Sequence, residues 1–142
     1  MIISKIEIAR MQLDTAIDLF LSDTDSISSL TLAGASEEIL GKLLERDGED
    51  SILKMLHAWY EETSGENIKY GEFAQKANLA RNCLKHASIK EEDELEIYTW
   101  ETIAVIMRAM INYKELTNEP SEKMMRMADW IKKNKDTYQT IE

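Results

Sequence analysis

Arg81, Asn82, Lys85 and His86 bring a guanidinium, an amide, an ammonium and an imidazole into one short stretch, the only place in the chain where the residue types suit chemistry. Histidine gains and loses a proton near neutral pH, so His86 suits general acid or base work. Arg81 offers a planar, always charged fork that stabilises an anion better than lysine does, and Asn82 can orient either a phosphate or the imidazole. Lys85 and Asn78 share the same polar arc and suit substrate binding. The plain alternative is that all of these side chains solvate one face of an amphipathic helix.

Other chemistries lack their residues. A helical di-iron or di-manganese site needs Glu-x-x-His pairs, and the positions three before His57 and His86 are Lys54 and Cys83. Helical nucleotide pyrophosphohydrolases need two paired acidic motifs for magnesium. Glu91 and Glu94 form one, but Glu115 is followed three residues later by Asn118. The chain has no His-Glu-x-x-His, no glycine-rich phosphate loop and no cysteine pair. No metal and no cofactor are expected, and His57, with no second ligand at a useful spacing, is assigned no chemistry.

The sequence Arg81-Asn82-x-x-x-His86 resembles the motif of the HEPN superfamily. These are small all-α proteins whose ribonuclease members carry an arginine and a histidine separated by four to six residues, often with asparagine directly after the arginine. The segment Leu30–Leu40, with its small residues and Glu37-Glu38, also looks like a helix of that family. The resemblance implies a metal-independent endoribonuclease or RNA-binding protein, with Arg81, Asn82 and His86 catalytic and Lys85 and Asn78 binding substrate. It also implies a homodimer, because such ribonucleases build their cleft between two subunits. That suits the geometry, since five steps on an ideal helix set Arg81 and His86 roughly 140° apart; the other solution is a helix that ends before His86. Some toxin members carry a tyrosine two residues past the histidine, where this chain has Ser88, so tyrosine-directed control is not implied. A second function class is a non-catalytic helical module that binds a protein partner, suggested by the acidic balance and by an apolar flank of Leu79 and Cys83.

Composition sets the frame for these residues. A chain of 142 residues fits a single domain and can bury a core without cross-links. Five glycines and one proline are too few for an all-β fold rich in tight turns. The lone Cys83, the lack of a leader-like opening and the lack of a long apolar run point to a cytoplasmic protein with no membrane role. A net charge of −10, from 17 basic and 27 acidic residues, repels nucleic acid at long range. DNA is therefore not expected as a partner, and RNA is admitted only through a local basic patch.

Apolar periodicity predicts an all-α, HEPN-like bundle of five to six helices in one domain over 1–142. Helices are expected over about 4–21, 26–46, 51–63, 70–87 and 99–116, and from about Pro120 to a frayed tail over 134–142. In the second, Ile27, Leu30, Ala33, Leu40, Leu43 and Leu44 should point inward and Glu37 and Glu38 outward, with Gly34 permitting close approach of another helix. In the fourth, Phe73, Ala77, Ala80, Leu84 and Ala87 should face the core and the Arg81 arc should face away from it. Trp59 belongs to the third helix's apolar face, Trp100, Ile103, Ala104, Ile106, Met107, Met110 and Ile111 should be mostly buried in the fifth, and the methionines should fill core gaps. The acidic run Glu91–Glu96 should form a solvated loop able to pair with Arg81 and Lys85.

Overall fold

Three short polar side chains start the first three helices. Ser4, Asp25 and Ser51 each accept a backbone N–H from the first turn that follows, which satisfies a donor the helix itself cannot. The computed structural model describes residues 1–139, and among these the chain is all-helical, with no strand. The helices are α1 (Lys5–Leu21), α2 (Ser26–Arg46), α3 (Ile52–Ser64), α4 (Tyr70–Ala77), α5 (Leu79–Cys83), α6 (Thr99–Thr117) and α7 (Glu122–Gln139), with a 3-10 turn at Lys90–Glu92. No helix of the described residues is long and apolar enough to cross a membrane.

α2 is the central element, packed mainly between α1 and α6, and α7 closes the far side against α1 and α6. Leu13 and Ile17 of α1, Leu30 and Leu40 of α2, Ile106 of α6 and Met124 and Met127 of α7 are fully enclosed. Each such side chain contributes about 1.5–3 kcal/mol. Trp130 of α7 meets Phe20 of α1 edge-on, with ring centroids 4.9 Å apart. Two hydroxyls sit inside the α1–α2 interface, where Ser29 donates to the carbonyl of Ala16 at 2.7 Å and Ser36 to that of Ala9 at 2.8 Å.

Several expectations are corrected. The fourth predicted helix is two helices, broken at Asn78, whose φ of −108° and ψ of 11° leave the helical region. Arg108 causes a pull at that point: its Nη1 donates to the carbonyl of Ala77 and its Nη2 to Oδ1 of Asn78. The second piece ends at Cys83, so Ala87 is exposed and outside any helix. Ile27, Trp59, Trp100, Met107 and Ile111 are exposed as well. On α6 Ile103 and Ile106 are buried as expected, and the strip continues through Thr102, Val105, Ala109, Asn112 and Tyr113, because α2 packs along that helix. Met107 and Ile111 thus line an open apolar groove against Met124 and Met125, while Met127 fills the core. α7 continues to Gln139 past the point where fraying is predicted; residues 140–142 of that tail lie outside the described residues.

Candidate functional site

Gly34 sets the position of Arg81. A Cβ at this point of α2 would stand 2.2 and 2.5 Å from the Cδ and Cγ of Arg81, so only glycine lets that side chain lie across the helix. The close approach foreseen at Gly34 is therefore made by one side chain of α5. Arg81 is 8% exposed and Asn78 is equally buried, so these two members of the polar arc do not face away from the core. The Nη1 of Arg81 donates to the Gly34 carbonyl at 3.2 Å and lies 3.6 Å from Oε2 of Glu37.

Glu37, expected on the surface, is 4% exposed and joins the helices of this region. Arg108 of α6 grips it from the side, with Nε 2.9 Å from Oε1 and Nη2 donating to Oε2 at 3.0 Å. Two guanidiniums thus share one enclosed carboxylate, a strong charge-assisted arrangement held together by the carbonyls and the amide around it. The sequence carries a signal for this cluster that periodicity alone does not use. Arg108 interrupts the apolar run from Ile103 to Ile111, and a charge within a buried strip needs an opposite charge from another helix.

The other half of the motif lies outside. His86 is exposed beyond the end of α5, and Asn82 is half-buried. Lys85 reaches the Glu38 carboxylate at 3.8 Å rather than the acidic run. The run also leaves Arg81 to Glu37, and one of its members, Glu92, instead helps desolvation hold the Cys83 thiol above its ordinary pKa. Leu79 is exposed but Cys83 is not, so the expected apolar flank is divided. His57 serves the frame: its Nε2 lies 2.6 Å from the carbonyl of Ile68, and its ring packs on Phe73.

A groove of about 490 Å³ runs along the outer flank of α2 beside Lys85. Ala35, Ile39 and Leu43 form its floor, and Lys5, Lys42, Arg46 and Lys85 surround it against the single carboxylate of Glu38. Lys42 pairs with Glu45 at 3.1 Å, an exposed contact that a competing anion can replace at a cost of about 1 kcal/mol or less. Lys5, Lys42 and Arg46 lie far from the motif in sequence, and only the packing of α1 and α5 beside α2 gathers them. Among the described residues, no group of three His, Cys, Asp or Glu side chains is arranged to hold a metal ion. Compared with known proteins, the chain matches no family model, no curated protein and no solved structure.

Proposed function

We propose that the chain is a HEPN-like RNA-binding protein that lays single-stranded RNA along the basic groove of α2. The observation that carries this reading is the charge of the groove, four cations to one carboxylate in a chain of net charge −10. Such a local reversal of sign supplies the counter-charge a phosphate backbone needs, and the aliphatic floor gives bases and sugars an apolar surface. Lys85 links the groove to the motif, and His86, next to it in sequence, is the group suited to proton transfer. Arg81 is committed to Glu37 and Gly34, so cleavage at His86 needs a cation from elsewhere. A second copy completing the cleft is therefore part of the proposal.

The test is a titration of labelled single-stranded RNA at ~50 mM salt with EDTA, where electrostatic contacts are strong. The double variant Lys5→Glu, Arg46→Glu should bind about tenfold or more weakly and show a shallower salt dependence. Wild-type protein that binds no RNA under these conditions sinks the reading. His86→Ala should retain affinity and abolish cleavage. RNA left intact by the wild type in EDTA removes the ribonuclease part and leaves the binding part.

A further inference from the structure

On the other flank of α2, across a ridge formed by Glu38 and Lys42, lies a second and narrower cleft of about 190 Å³. Glu38 and Lys42 line both cavities, so the two meet along one helix. Two amides stand in the floor of the cleft beside Glu37, whose oxygens are already held by Arg81 and Arg108. Oδ1 of Asn112 accepts from the N–H of Ile52 at 2.9 Å, and Oδ1 of Asn78 accepts from Arg108 at 2.7 Å. Only the oxygen of an amide can accept these bonds, so the orientation of both side chains is fixed and each Nδ2 faces the other way.

Neither Nδ2 has an acceptor among the described residues. Asn112 is 1% exposed, and its Nδ2 is aimed at the cleft wall, 3.6 Å from where a Cβ on Gly41 would stand. Arg81 also lines this cleft, and its Nε is enclosed without a partner. The Nε of Arg81 is the enclosed donor, and with the two amide nitrogens beside it the cleft suits a ligand that presents acceptors. The mouth carries the carboxylates of Glu38 and Glu45, the latter bonded to Lys42, and the ring of Tyr70.

Acceptors at the bottom and donors at the top describe a neutral ring better than a phosphate, which would meet three carboxylates lining the same cleft. Guanine has this polarity, with O6 and N7 accepting on one edge and N1–H and the 2-amino group donating on the next. Adenine would turn its amino group towards the donors of the floor. We propose that the cleft takes one unstacked guanine of the RNA strand whose phosphates lie in the basic groove. This rests on the RNA-binding reading above and adds to it a base preference set by Asn78, Asn112 and Arg81. Reading a splayed base by its edges beside an aromatic ring is the usual mode of single-strand recognition.

The experiment compares oligouridines of about twelve nucleotides, within the usual site sizes of single-strand binders. Each carries guanosine, inosine, adenosine or uridine at one central position. Guanosine should bind about tenfold tighter than adenosine, in line with base discrimination by paired hydrogen bonds, and inosine, which lacks the 2-amino group, should fall between them. Asn112→Asp keeps the acceptor that Ile52 needs and replaces the donor by a carboxylate oxygen, and a denaturant titration run alongside shows that the variant folds. The variant should erase the guanosine preference and leave the affinity for oligouridine within about twofold, a change too small for a lost base contact. Asn78→Asp, which likewise keeps its acceptor for Arg108, should also erase the guanosine preference. Equal affinity of the wild type for all four strands overturns the guanine cleft while leaving the RNA-binding reading standing. A preference that survives both aspartate variants also overturns it, and no binding to any strand overturns both proposals.

Discussion

Arg81 and His86 are five positions apart in one motif, yet they lie in opposite environments. Arg81 is enclosed by three helices, with Gly34, Glu37 and Arg108 around it, whereas His86 stands in solvent past the end of α5. The difference follows from the break at Asn78 and the early stop at Cys83, which replace one regular helix by two short ones. A polar residue in a motif can therefore hold the framework while its neighbour is left free for a ligand. At the Arg81 end, losing one partner strands a charge; at the His86 end, losing the side chain strands nothing.

That contrast can be broken by measurement. Glu37→Ala leaves two enclosed guanidiniums without their carboxylate and should lower unfolding stability by about 3–5 kcal/mol in a denaturant titration. A loss below about 1 kcal/mol would place the cluster among weak surface pairs. Gly34→Ala drives a methyl group into the Arg81 side chain and should cost about 1–3 kcal/mol. The cost should shrink in an Arg81→Ala background, because the clash is with that residue alone. An unchanged cost in the double variant would move the importance of Gly34 to the backbone. His86→Ala should change stability by less than about 0.5 kcal/mol, as expected for an exposed side chain without enclosed partners. A loss comparable to that of Gly34→Ala would erase the distinction between the two ends.

The helices around the site were legible because their signals are local. α2 follows the predicted span of Ser26–Arg46, and Ser51 caps α3 as its hydroxyl and position suggest. Gly34 was legible as a point of close approach, since a glycine amid good helix formers needs a packing reason. The facing of Arg81 was not, because the periodicity of Phe73, Ala77, Ala80 and Leu84 assumes one straight helix. Arg108, 27 residues further along the chain, bends the path at Asn78 through two hydrogen bonds. Glu37 was hidden for the same reason, as a carboxylate inside a helical protein is stable only with partners that other helices supply. The basic groove was the least legible feature, since Lys5, Arg46 and Lys85 come from three separate parts of the chain.

Ser29 and Ser36 are seven residues apart on α2, and the carbonyls they engage, Ala16 and Ala9, are seven apart on α1. Because the two spacings match, a slide of α1 by a fraction of a turn would break both bonds at once. The axial setting of the hairpin is thus written inside the interface and not in the turn that joins the two helices. That turn is left only to connect them, so its length and sequence can drift while α1 keeps its seat, and with it the place of Lys5 beside the groove.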